Sequence, residues 1–201
     1  MEKSKRKNKS WLIIIGSLIF LSGLFIIVKD YYLNKQIENK EEQAIEEYYN
    51  IEETVSTEEP EKIEVVKEQK KINYIAILKI PKINLERGLV DPNSYLNNVN
   101  YNLEIVKGSD MPDVNNGNMI IAGHSGTARI SYFRNLNRLD IDDLIIIDYN
   151  FNSYKYKVVD IYDIEKTGYA EISKEKNTTT LTLITCRHNT SKQIVIIAKQ
   201  I

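Results

Sequence analysis

From Trp11 to Val28 the chain is apolar without a break: WLIIIGSLIFLSGLFIIV carries no charge over 18 residues. At about 1.5 Å per residue such a helix spans roughly 27 Å, close to the hydrocarbon core of a bilayer. The pattern predicts one membrane-spanning helix. A cleaved secretory signal would have a shorter apolar stretch, about 7–15 residues, ending in a small-residue cleavage site. Lys29, Asp30, Tyr31 and Tyr32 follow here instead.

The pattern then changes twice. Residues 29–72 hold eleven glutamates between Glu38 and Glu64 and few large apolar residues. Gln36 to Ile51 is readable as a charged helix, and Ile37, Ala44 and Ile51 recur at a sevenfold spacing. A coiled coil needs about three to four heptads with two apolar positions each, so the expectation is a solvated spacer. From Asn73 onward, short Ile-, Val- and Tyr-rich runs alternate with Asn, Gly, Asp and Pro, which predicts an all-β domain. The expected strands are Tyr74–Ile80, Leu85–Val90, Met119–Ala122, Leu144–Tyr149, Tyr154–Tyr162, Thr179–Cys186 and Gln193–Lys199. Tyr154, Tyr156 and Val158 alternate with Lys155 and Lys157, as a strand with one wet face does. Ile194–Ile197 is apolar throughout, as in a strand covered on both faces or inside a closed barrel. One short helix is expected at Ile130–Leu139, with Ile130, Phe133, Leu136 and Asn137 on a shared face. The expected organisation is a basic tail (1–10), a transmembrane helix (11–28), an acidic stalk (29–72) and a folded domain (73–201).

Charge sharpens these boundaries. Lys and Arg outnumber Glu five to one in residues 1–10, stand seven against thirteen Asp and Glu in residues 11–72, and fifteen against fourteen in residues 73–201. Basic residues ahead of the apolar run predict a cytoplasmic N-terminus with residues 29–201 outside the cell membrane. No folded stretch is basic enough to make nucleic acid the expected partner. A single cysteine excludes an intramolecular disulfide, and no Cys/His cluster predicts a structural zinc. The acidic pairs Asp142-Asp143 and Glu41-Glu42 read as solvated surface, so no metal or cofactor is expected.

The lone cysteine has two readings, buried filler or a retained reactive thiol. Cys186 closes the apolar run TLTLIT and opens into Arg187, His188 and Asn189, where a strand fixes the sulfur and a loop exposes it. A thiol of ordinary pKa needs a basic partner near neutrality. His188 is adjacent and reads as a solvated loop residue. His124 ends another apolar run, within Ile121-Ala122-Gly123-His124-Ser125-Gly126, and two strand ends can bring it to Cys186.

Five stretches in order resemble the sortases, membrane-anchored cysteine transpeptidases of Gram-positive bacteria. Thr182-Leu183-Ile184-Thr185-Cys186 resembles the TLxTC motif, and Ala122-Gly123-His124 the strand-end histidine. Ile77-Leu78-Lys79-Ile80-Pro81-Lys82-Ile83 is similar to the opening strand, and Gly108-Ser109-Asp110-Met111-Pro112 and Phe133-Arg134-Asn135-Leu136 match in kind and order. The resemblance covers residues 73–201 and looks more like compact class A or D members than class B. It implies an eight-stranded β-barrel in which Cys186 attacks the threonine carbonyl of an LPxTG-type sorting signal. An amine from a peptidoglycan precursor or a pilin then resolves the thioacyl intermediate, with His124 moving the protons. The loop Lys166–Asn177 is expected to grip the sorting signal. Thr185 and backbone N–H groups beside Cys186 are candidate oxyanion donors.

One position departs from the family. Sortases carry an arginine on the strand after the cysteine, and here Gln193 stands there, a neutral donor in place of a fixed charge. The arginines after the apolar run are Arg87, Arg129, Arg134, Arg138 and Arg187. Arg187 is nearest, although alternation along a strand points it away from Cys186. Two other functions fit the same residues: a sortase-like module that holds sorting peptides without turnover, and a thiol peptidase that releases a free carboxylate.

Overall fold

The computed structural model describes residues 4–55, 72–166 and 177–201. By its contacts the chain divides into residues up to Gln43 and a compact unit Ala44–Ile201. The first contains most of α1 (Ser4–Val55), a continuous helix. Its segment from Trp11 is the one span among the described residues long and apolar enough to cross a membrane, with a mean hydropathy of 2.7. Leu12, Ile13, Phe20 and Phe25 are each more than 60% exposed among the described residues. That is the surface a lipid-facing helix presents.

The second unit is built on strands β1 (Tyr74–Ile80), β2 (Leu85–Val90), β3 (Glu104–Ile105), β4 (Asn118–Ala122), β5 (Leu144–Tyr149), β6 (Asn152–Glu165), β7 (Thr180–Cys186) and β8 (Lys192–Gln200). They form one sheet in the order β2-β1-β5-β6-β8-β7-β4-β3, and its two edge strands meet to make a nearly closed barrel. All neighbours are antiparallel except β4 and β7, which run parallel. Alternation fills the interior: Leu78, Ile80, Met119, Ile121, Ile145, Ile147, Tyr156, Leu181, Leu183, Ile194 and Ile196 are all buried in one core. Val195 is buried on the other face of β8, which accounts for the unbroken apolar run there.

All seven expected strands are present, within two or three residues at their ends. β3 has two residues, too few to show a period. The expected helix Ile130–Leu139 does not form; separate turns with i→i+3 bonds occupy 128–139, and only Leu136–Arg138 makes a 3₁₀ turn. The reason is local. The Phe133 N–H is drawn out of helical register to the carbonyl of His124, and the Arg134 side chain takes the carbonyls of Ser131 and Ala128.

Residues 44–50 differ from the expected solvated spacer. Within the second unit, Ala44, Ile45, Tyr48 and Tyr49 pack on Tyr74, Ile77 and Val90 and make a small second core outside the barrel. The Tyr74 ring in turn lies against Gly88, where a Cβ would fall 2.2 Å from it, so only glycine fits. A polar clasp sits at its edge, centred on Asp148, which is 6% exposed. Tyr49 Oη donates to Asp148 Oδ2 at 2.7 Å, Lys79 Nζ lies 2.8 Å from the same oxygen, and Ser153 donates to Oδ1. Tyr48 Oη reaches the Asp148 carbonyl at 3.2 Å. Burial works to raise the Asp148 carboxyl, yet the hydrogen bonds from Lys79, Ser153 and Tyr49 outweigh it and hold the pKa below the ordinary value. Lys79 is the mirror case: burial pulls its pKa down, and Asp148 and Tyr49 push it up overall.

Candidate active site

β4 and β7 pair from Asn118↔Thr180 to Ala122↔Ile184, and the Gly123 N–H extends the ladder to the Ile184 carbonyl at 3.2 Å. The paired residues end there; the same register continued two residues further would bring His124 beside Cys186, on the sheet face that Ala122 and Ile184 share. On the opposite flank, β8 places Gln193 directly across from Cys186. Cross-strand partners of this kind hold their Cβ atoms about 4.5–5.5 Å apart. His124, Cys186 and Gln193 therefore stand in one row across the ends of β4, β7 and β8, and all three are half-buried.

Three hydrogen bonds fix the row. The Ser125 hydroxyl donates to the carbonyl of Cys186 itself. Thr185 Oγ1 donates to the carbonyl of Gly123 at 2.7 Å, and the Phe133 N–H to that of His124 at 3.0 Å. Gly123 is required by close approach: a Cβ there would lie 2.5 Å from Leu103 Cδ2 and 2.9 Å from Phe133 Cδ2. The histidine segment and the cysteine strand end are thus tied to each other through backbone groups; of the three residues in the row, Cys186 lines the neighbouring cavity and His124 and Gln193 do not. A cavity of about 140 Å³ adjoins Cys186, lined also by Thr185, Ser125, Phe133, Asn137, Arg187, His188 and Ile194.

The remaining sequence candidates are placed as follows. Thr185 is 3% exposed, and its hydroxyl proton is committed to Gly123, so it ties the loop and has no proton left for an oxyanion. Arg187 lines the cavity, but its Nε donates to Asp163 Oδ1 at 2.5 Å and its backbone N–H to the Lys192 carbonyl at 2.9 Å. Asp163 pairs with Ile194, and Ile194 with Thr185. Arg187 therefore lies with the residues that alternate with Cys186 and Gln193. His188 is an exposed loop residue at the cavity's rim. Residues 167–176 of the loop expected to grip a sorting signal lie outside the described residues. Ser125 and Asn137 were not singled out by the sequence; Ser125 sits next to His124, which was the available signal. Among the described residues no cluster of three or more His, Cys, Asp and Glu side chains is close enough to hold a metal ion.

A family model described as the sortase domain matches residues 78–201. No curated protein matches the chain. Among solved structures, a lid mutant of sortase A from Corynebacterium diphtheriae is similar with a TM-score of 0.59 at 24% identity, over 66% of this chain and 73% of that one. Sortase C-1 from Actinomyces oris gives a TM-score of 0.58 at 21% identity, over 64% and 72%. A Clostridium perfringens sortase D5 transpeptidase gives a TM-score of 0.58 at 23% identity, over 82% of this chain and 97% of that one. These likenesses span classes A, C and D and share the barrel. With the family model covering β1 through β8 from Leu78 onward, the chain belongs to the sortases.

Proposed function

We propose that the chain is a membrane-anchored cysteine transpeptidase that cleaves an LPxTG-type sorting signal and joins the protein to an amine of the cell wall or of a pilin. The observation that supports this reading is that Cys186 pairs with Gln193 and that the segment 123–125 is tied to the end of β7 by the Thr185 and Ser125 hydrogen bonds, which favours His124 beside the thiol. One solved relative, a Clostridium perfringens sortase C, holds a C-terminal cell wall sorting motif.

The Cys186 sulfur, as thiolate, attacks the scissile carbonyl carbon, and the carbonyl oxygen becomes an oxyanion. The Gln193 carboxamide N–H is the donor assigned to support it, because Gln193 pairs with Cys186 while the Thr185 hydroxyl is bonded to Gly123 and the Arg187 Nε to Asp163. The C–N bond breaks as protonated His124 gives its proton to the departing amine, leaving a thioester on Cys186. Neutral His124 then takes a proton from the incoming amine, which attacks the thioester and releases Cys186. The apolar helix holds the domain at the cell membrane, and basic residues 3–9 keep the N-terminus cytoplasmic with the domain outside. The short interval from His124 to Cys186 supports a compact class A- or D-like member.

Mass spectrometry of the full chain in detergent with an LPxTG-type peptide library and an amine acceptor tests this. A covalent adduct on Cys186 that converts to amine-linked product is expected, absent in Cys186→Ala and lost or strongly slowed in His124→Ala. Gln193 favours one rival reading, a module that binds peptide without turnover. That rival would show no adduct in the wild type and an adduct only in Gln193→Arg. A product that stays a free carboxylate whatever amine is added marks a thiol peptidase instead.

A further inference from the structure

Arg87 is a cation in an unusual place. It lies on β2 and is 6% exposed, in a protein interior where a guanidinium is costly unless its donors are used. Its Nε donates to Asn102 Oδ1 at 2.7 Å, and Asn102, itself buried, passes a hydrogen bond to the Gly88 carbonyl at 2.8 Å. On its other side the guanidinium carbon stands 3.9 Å from the centre of the Tyr132 ring, within the range of a cation–π contact. Burial pushes the guanidinium pKa down to about 10, with Tyr132 acting in the opposite direction.

The two groups that Arg87 joins each have a neighbour in the site. Next to Asn102 is Leu103, and next to Tyr132 is Phe133. Leu103 and Phe133 are the two side chains that close on Gly123, leaving no room there for a Cβ. Phe133 also holds the His124 carbonyl through its own N–H. A lysine would supply the charge at position 87 but neither the flat face nor the fork that bridges an amide to a ring.

We propose that Arg87 is a positioning residue: by tying Asn102 to Tyr132 it clamps Leu103 and Phe133 on Gly123 and so sets the backbone that presents His124 to Cys186. The inference rests on the reading of His124 as the proton carrier. Arg87 touches neither substrate nor thiol in this role. It acts through the histidine's geometry, so its loss should alter proton transfer more than peptide capture.

The test uses the full chain in detergent, with active sites counted as the fraction of chains that form a thioacyl adduct on Cys186 with excess peptide and no amine, so that unfolded enzyme is left out of every rate. Arg87→Met and Tyr132→Leu are each expected to lower kcat for peptide transfer at least about tenfold with KM within about twofold. Each should also shift the pH–rate profile and the His124 ring resonances. Arg87→Lys should restore only part of the rate, and the double variant should be no worse than the more damaged single one, as one clamp predicts. Rates per active site and a pH profile that stay at wild-type values in Tyr132→Leu and in whatever fraction of Arg87→Met folds would overturn the inference, leaving Arg87 a structural group only. Full transfer by His124→Ala would instead overturn the reading beneath it.

Discussion

The Asp148 clasp and the Cys186 row are both made where strands hold polar side chains in register, yet they are opposites in how they use them. At the clasp, Asp148 has both carboxylate oxygens occupied, by Tyr49 and Lys79 on one side and Ser153 on the other. Its titration, and that of Lys79, is displaced by this saturation. At the row, the hydrogen bonds that fix the geometry come from Ser125, Thr185 and the Phe133 N–H, and end on the carbonyls of Cys186, Gly123 and His124. Backbone carbonyls do the holding there, and neither the Cys186 thiol nor the His124 imidazole takes part in those three bonds. Displaced titration is a common marker of catalytic sites, but ion-pair networks produce it too. At Asp148 and Lys79 it is the ion pair with Tyr49 and Ser153 that produces it.

The sharpest way to break the contrast is to remove one group from each region. Cys186→Ala should abolish adduct formation and transfer entirely while leaving the thermal unfolding midpoint within about 2 °C, since a half-buried thiol contributes little packing. Asp148→Asn should do the reverse. It leaves Lys79 and Tyr49 without their anion, and because Lys79 is a third exposed the loss should be about 1–2 kcal/mol rather than the larger figure for a fully buried pair. That predicts a drop of several degrees in the midpoint, with transfer per active site within twofold of wild type. A tenfold loss of turnover in Asp148→Asn would show that the clasp and the row are coupled.

The same variant carries a pH signature. The Asp148 carboxyl is held below its unfolded value, so its contribution is complete above the ordinary carboxylate range and is lost as pH falls through the folded value. The Lys79 pKa is raised, so its contribution is complete below the ordinary lysine range and is lost as pH rises above it. Between about pH 5 and 9 the clasp should therefore be indifferent to pH. Unfolding in denaturant should show a steeper acid decline below about pH 4 in wild type than in Asp148→Asn. Equal slopes would mean that the carboxylate is not held by these partners in solution.

Thr185→Val should have a smaller effect on stability. It removes the hydrogen bond to Gly123 and leaves that buried carbonyl without this donor, at about 1 kcal/mol. Transfer should slow as well, because the bond ties the histidine segment to the cysteine strand. Unchanged transfer in Thr185→Val would leave the Ser125 bond as the tie that matters.

Most of the barrel was legible because period-two alternation and turn residues are local. Tyr154–Val158 and the run at Ile194 carry their own burial pattern in the sequence. The failures lie where the decisive partner is distant. Ile130–Leu139 has helical spacing, but the His124 carbonyl captures the Phe133 N–H. Tyr48 and Tyr49 lie in a stretch of glutamates, and nothing nearby announces Asp148 about a hundred residues later. The site shows the same division. Cys186 and His124 stood out as strand-end residues and as motif matches, whereas their alignment in one row needs the parallel pairing of β4 with β7, which no local pattern encodes. Thr185 was legible as a neighbour of the thiol, but that its proton is spent on Gly123 was not.

Asp163→Asn gives the smallest expected effect and the finest test of the row. Alternation along β7 sends Arg187 to the side of Thr185, and its Nε meets Asp163, whose strand partner Ile194 faces Thr185. The pair is about a third exposed on both sides, a setting in which ion pairs contribute roughly 0.2–1 kcal/mol. If Gln193 alone flanks the thiol, freeing Arg187 from Asp163 should leave turnover within about twofold of wild type and lower stability by no more than that amount. The strand ends at Cys186, however, so a freed guanidinium has a turn's latitude to swing toward the oxyanion. A tenfold rise in turnover in Asp163→Asn, cancelled by Arg187→Gln, would mean that Asp163 restrains a cation the reaction can use, and that Gln193 is not the only donor beside the thiol.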